Sequence, residues 1–352
     1  MNEDKLEQAR KIISSYDGPK LRIMEVCGTH THEIFRLGIR KLLPENVDLI
    51  SGPGCPVCVT PVGFIDEAVM LALDHGATIC TFGDLVRVPG TEMSLAGARS
   101  KGGKIQVVYS PLDAVEYAKE HPEEQVVFLA VGFETTTPAS CLAVKRAKEA
   151  GLENFSLLTA NKTMPEAYLA LKGSADAFLY PGHVHAIIGT QLCEDMAEKE
   201  RVSGVIAGFT GRELLTALAV VISRAQEGRP FFENCYPRVV TTEGSPAGVK
   251  LVNSIMEPCD TEWRGLGVIP QSGMQLREEY ADFDARKKFR LPPVEGRSNP
   301  ACRCGEVLQG KCKPSDCGVF GKVCTPEHPV GACMVSGEGA CSAYYLYGGS
   351  ES

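Results

Sequence analysis

The sequence predicts an α/β protein: two similar parallel-sheet α/β domains followed by a small irregular C-terminal iron–sulfur domain. Three observations predict it. Short apolar runs alternate with amphipathic stretches as far as about residue 229, the pattern of strands joined by crossover helices. Beyond that point the alternation decays into Pro, Gly and charge. The end of the chain then crowds cysteines into a segment with too few apolar residues to build its own core, so a metal centre is expected to hold it together.

The expected strands are Leu21–Val26, Val47–Ile50, Ala77–Thr81, Ile105–Tyr109, Val126–Val131, Phe155–Thr159, Ala177–Tyr180 and Val205–Ala207. Helical patterning lies between them at Thr31–Leu42, Phe64–Asp74, Leu112–Lys119, Ala139–Ala150 and Arg212–Gln226. The strand count suits two units, 1–122 and 123–228, joined near His121–Gln125, with 229–352 as connecting region and C-terminal domain. Each unit opens with a strand that leads through a Gly- and Thr-containing turn into a helix: Val26 to His30 in one, Val131 to Pro138 in the other. Loops at the carboxyl ends of parallel strands form the ligand crevice of such folds, so both turns sit where chemistry is expected.

Composition narrows the function classes. A formal net charge of -8 leaves no basic footprint for nucleic acid. The charged, amphipathic N-terminus lacks the apolar core of a signal peptide, and no uncharged apolar run approaches the roughly 18 residues of a membrane span. A cytoplasmic protein without membrane or nucleic-acid partners is expected. Fifteen cysteines in that reducing setting call for metal or redox use rather than stable disulfides.

Four constellations carry candidate chemistry. The C-terminal block runs Cys302-x-Cys304-x7-Cys312-x4-Cys317-x6-Cys324-x8-Cys333-x7-Cys341. Its spacings fit neither a compact zinc knuckle nor the bacterial ferredoxin run, but four thiolates from a folded loop can enclose a [4Fe–4S] cluster; structural zinc is the competing reading. Cys55-Pro56-Val57-Cys58 places two sulfurs close enough for a reversible disulfide, against half a zinc site or two buried thiols. Cys27 and His30 stand three residues apart at a helix start, suited to iron or zinc, to a Cys/His nucleophile pair, or merely to a helix capped by Thr29. Gly132 to Pro138, with three successive threonines, can bind an anion or cap the next helix; His183 and His185 are ligands or structural residues.

In order along nearly the whole chain, these segments resemble the HypD family of hydrogenase maturation factors. The resemblance rests on CGTHTHEI (27–34), SGPGCPVCVTP (51–61), TFGD (81–84) with RVPG (87–90), VGFETTTP (131–138), NKTM (161–164), YPGHVH (180–185) and the cysteine block PACRC…ACSAYY (300–345). It implies a role in building the Fe(CN)2CO unit of [NiFe]-hydrogenase together with the small chaperone HypC and the cyanide carrier HypE. It also implies that Cys27, with His30 beside it, holds the iron cargo jointly with a HypC cysteine. Cys55 and Cys58 become the redox-active pair. Cys317, Cys324, Cys333 and Cys341 become the ligands of a [4Fe–4S] cluster, with Cys302, Cys304 and Cys312 as substitutes. Gly52, Pro53 and Gly54 let backbone approach the iron closely. The arrangement is similar to the cluster-plus-disulfide of ferredoxin:thioredoxin reductase. Two other functions remain open on the residues alone: a stand-alone cluster-dependent thiol–disulfide reductase, and a zinc-stabilised binding module.

Overall fold

The computed structural model describes residues 3–348. All eight expected strands form: β1 (Leu21–Glu25), β2 (Val47–Ser51), β3 (Thr78–Thr81), β4 (Ile105–Val107), β5 (Val126–Gly132), β6 (Phe155–Asn161), β7 (Ala177–Pro181) and β8 (Gly204–Ala207). A short ninth, β9 (Phe232–Asn234), follows. They make two parallel sheets, ordered β2-β1-β7-β8-β9 and β4-β3-β5-β6. Every residue of β5, Val-Val-Phe-Leu-Ala-Val-Gly, is buried, as expected of a strand covered by helices on both faces.

The sheets do not follow the expected division at residue 122. The chain lays down β1 and β2, builds the whole four-stranded sheet from β3 to β6, and then returns to place β7 beside β1, with Ile23 opposite Ala177. Periodicity reveals a strand but not its neighbour. In parallel sheets each strand is separated from its partner by a crossover whose length sequence does not limit.

The helices agree with expectation within a few residues, with one instructive shift. The first strand-end helix starts early, at Gly28, and stops at Arg36. Gly38, at φ 63°, breaks it, and a separate 3-10 turn, Ile39–Leu42, continues the segment. Past residue 229 there is more order than the sequence indicated. A helix, Pro246–Ile255, leads into an antiparallel hairpin of β10 (Met256–Trp263) and β11 (Gly267–Leu276). The C-terminal block is made of short pieces, among them helices Cys304–Leu308 and Ala340–Tyr347. It has no core of its own. Cys304, Val307, Leu308, Cys333, Met334 and Cys341 join Met24, Val26, Cys55, Cys58, Phe133 and Trp263 in one apolar cluster, which ties the block to both sheets.

Candidate redox and metal site

Cys27 follows β1 in extended conformation, φ −151°, and occupies the cap position of helix Gly28–Arg36. The loop after β2 is pressed against it. The Gly28 N–H donates to the Gly54 carbonyl at 2.9 Å, and a Cβ on Gly54 would overlap the backbone N and Cα of Cys27. Glycine at 54 is therefore what lets the Cys55–Cys58 loop approach Cys27. The Cys27 sulfur accepts from the backbone N–H groups of His30 and Thr29 and has the Thr29 hydroxyl beside it, all of which favour the thiolate. Burial outweighs them, and with the nearby Glu338 carboxylate it pushes the thiol up to about 12. The stabilisation of the anion by the helix start is thus present but overridden. At neutral pH the sulfur therefore keeps its proton.

His30 is fully buried. Its Nε2 lies 3.1 Å from the Gly208 carbonyl, which can only accept, so Nε2 carries the hydrogen. Nδ1 has no partner and is left as a bare acceptor. Burial, reinforced by His183, lowers the imidazole pKa to about 3, so it stays neutral. His183 joins from the short helix after β7, its ring 5.1 Å from Phe209, while His30 lies 5.0 Å from that same ring. His185 is different. Its Nδ1–H donates to Gly189 at 2.9 Å and its Nε2 faces the Cys193 thiol at 3.6 Å, so it is a structural residue.

Two neighbours of this site, Glu338 and Tyr168, had no signal of their own in the sequence. Glu338 accepts from the Thr29 hydroxyl at 2.7 Å, and Gly337 beside it bonds His32 at 3.0 Å, so the loop between Cys333 and Cys341 clamps the helix start. Asn161 and Tyr168 bury side-chain polar atoms without partners. In the threonine-rich turn, Thr136 and Thr137 both donate their hydroxyls to the Phe133 carbonyl, and Thr136, at the cap position, makes no side-chain cap bond to the helix start. Glu134 accepts from the Met164 N–H at 2.8 Å, and burial raises its pKa to about 7.

Cys55 occupies the cap position of a one-turn helix, Pro56–Val59, and Cys58 lies within it; both are buried and unbridged. Cys58 touches Cys333 as well as Cys55. Hydrogen bonding from Cys333 lowers the Cys58 pKa, but the contact with Cys55 and burial raise it further, leaving it above the usual thiol range. Cys333 continues the chain of sulfurs: its Sγ lies 2.9 Å from that of Cys304, and it also contacts Cys341.

Six of the seven C-terminal cysteines, Cys302, Cys304, Cys317, Cys324, Cys333 and Cys341, line one small cavity of about 10 Å³, backed by Val307, Val319, Phe320 and Met334. Cys312 lies apart, in a surface cleft with Lys311 and Lys313. Among the described residues no group of three or more His, Cys, Asp or Glu is placed to hold a metal ion. The donors ringing the cavity are nevertheless all sulfur, the set that soft metals and iron–sulfur clusters select over hard cations. At its present size the cavity is smaller than a four-iron cluster, so the surrounding loops must part to hold one.

Comparison with known proteins gives a single answer. The model of the family described as "Hydrogenase formation hypA family" (HypD) matches residues 4–348. The chain is 43% identical over 338 residues to the hydrogenase maturation factor HypD of Azotobacter vinelandii, covering 93% of this chain and 89% of that one. It is 44% identical over 353 residues to that of Rhizobium leguminosarum bv. viciae, covering 97% and 92%. For the Escherichia coli factor the identity is 44% over 339 residues, covering 94% and 90%. The chain belongs to the HypD family of hydrogenase maturation factors.

Proposed function

We propose that this protein is the scaffold on which the Fe(CN)2CO unit of [NiFe]-hydrogenase is assembled, working with a HypC chaperone and a HypE cyanide carrier. The observation that carries this reading is the unbroken run of sulfurs from Cys55 through Cys58 and Cys333 to Cys304, beside a cavity ringed by four further cysteines. The loop bearing Cys55 also packs directly on Cys27.

In this reading Cys27 holds the iron, which is cargo. The neutral His30 keeps its hydrogen on Nε2 and leaves Nδ1 with a free lone pair, able to ligate a metal or accept from a donor but not to bond cyanide or carbonyl. Six sulfurs face a cavity that needs four ligands. Cys304 and Cys333 touch each other, and Cys333 touches Cys58, so these two are the pair best freed for exchange. That leaves Cys317, Cys324 and Cys341 with Cys302 as the ligands of a [4Fe–4S] cluster, revising the set that includes Cys333. The cluster would supply one-electron chemistry. Between the protein's own residues the step is thiol–disulfide exchange: the Cys55/Cys58 dithiol becomes a disulfide as a Cys304–Cys333 disulfide is reduced, two electrons and two protons passing from one pair to the other.

A stand-alone reductase of outside disulfides is less well supported, because Cys58 is 0% and Cys55 4% exposed. The test is iron and sulfide content with visible absorption after anaerobic purification. The wild type should be brown. Cys324→Ala should lose the iron, whereas Cys312→Ala, outside the cavity, should keep it. Equal iron in both variants would overturn the ligand assignment, and a colourless wild type would overturn the cluster.

A further inference from the structure

The turn between β10 and β11 reaches across to the sulfur cavity. Arg264, at its tip, donates its backbone N–H to the Val59 carbonyl and its Nε–H to the Thr60 carbonyl, both at 2.8 Å, immediately after Cys58. Gly265 abuts Gly305, next to Cys304, so closely that a Cβ on either would collide with the other. The turn is therefore wedged between the Cys55–Cys58 helix and the C-terminal block.

A guanidinium is always charged, and this one is only 7% exposed. Its Nη2 is buried with no hydrogen-bond partner, and among the described residues no carboxylate pairs with it. A buried charge without a counter-charge is strongly unfavourable. The Cys302 sulfur lies within its electrostatic reach, and Arg264, Cys302 and Cys304 line one open cleft, whose carboxylates, Glu92 and Glu306, are paired with Arg297 and Arg303 instead. Neutral thiols do not balance a cation. An anionic iron–sulfur group would.

Resting on the cluster reading above, we propose that Arg264 is the counter-charge of the sulfur cavity and sets the reduction potential of the cluster held there. A cluster with four thiolate ligands is negative and becomes more so on reduction. A fixed cation beside it favours the added electron and raises the potential. Lysine would keep the charge while losing the planar fork.

The experiment compares full-length wild type, Arg264→Gln and Arg264→Lys, purified anaerobically. Iron and sulfide are measured per chain, and the midpoint potential is read by a redox titration followed in the visible. Arg264→Gln should show a more negative midpoint, or lose its iron, while Arg264→Lys stays close to wild type in both respects. A wild-type midpoint in Arg264→Gln would overturn the proposal. So would equal shifts or equal iron loss in both variants, which would leave only a packing role. A wild type without iron would instead remove the cluster reading, and this inference with it.

Discussion

Cys27 and the sulfurs of the C-terminal cavity are both buried, yet their surroundings differ in kind. Around Cys27 stand two backbone N–H donors, a threonine hydroxyl, a histidine with a free lone pair and a carboxylate. Around the cavity stand only thiols and apolar side chains, with one unpaired guanidinium at the edge. The first environment suits a single metal atom whose small polar ligands need hydrogen bonds. The second suits a charged group that brings its own structure and asks of the protein only sulfur and a counter-cation. Burial alone says little about what a cysteine does; the neighbouring donors say most.

The comparison can be broken by substitution. Among the substitutions the largest effect should come from Gly54→Ala, which forces a methyl into the Cys27 backbone and should cost about 3 kcal/mol by overpacking, read as a lower denaturation midpoint. Acid should have an effect of at least similar size. Burial lowers the pKa of His30 to about 3 and of His183 to about 4, below the unfolded value of 6.5, so the unfolded chain binds protons first as pH falls. Stability is fully present above pH 6.5 and should be lost toward pH 4 by up to about 1.4 kcal/mol per pH unit for each histidine, checked by denaturation at pH 7 and pH 5. Thr29→Val, which removes the hydrogen bond to Glu338, should cost about 1 kcal/mol. Gly318→Ala, within the cysteine block, meets no atom within 4 Å and should change stability by less than about 0.5 kcal/mol.

Much of this was legible in the residues. Continuous apolar runs such as Val126–Gly132 mark buried parallel strands, and Cys, His and Gly in the loops that follow mark the site. What stayed hidden was long-range. The pairing of β1 with β7 depends on how the covering helices pack. The hairpin of β10 and β11 escaped because one face is exposed and polar, with Pro258 and Asp260 within a strand whose ends, Met256 and Trp263, are buried. Glu338 and Arg264 gave no sign because they act on Thr29 and Thr60, 309 and 204 residues away. His183 looked no different from His185, yet His183 stacks on Phe209 whereas His185 is held by Gly189 and Cys193.

The central claim, that Cys27 holds the iron being built, is tested most directly by infrared spectroscopy of the complex copurified with HypC, where cyanide and carbonyl stretches report the assembled unit. Serine replaces a soft donor by a hard one of similar size, so Cys27→Ser should fold and keep the visible absorption of the C-terminal cluster while losing those bands. Bands of wild-type intensity in Cys27→Ser would place the iron elsewhere and contradict the account.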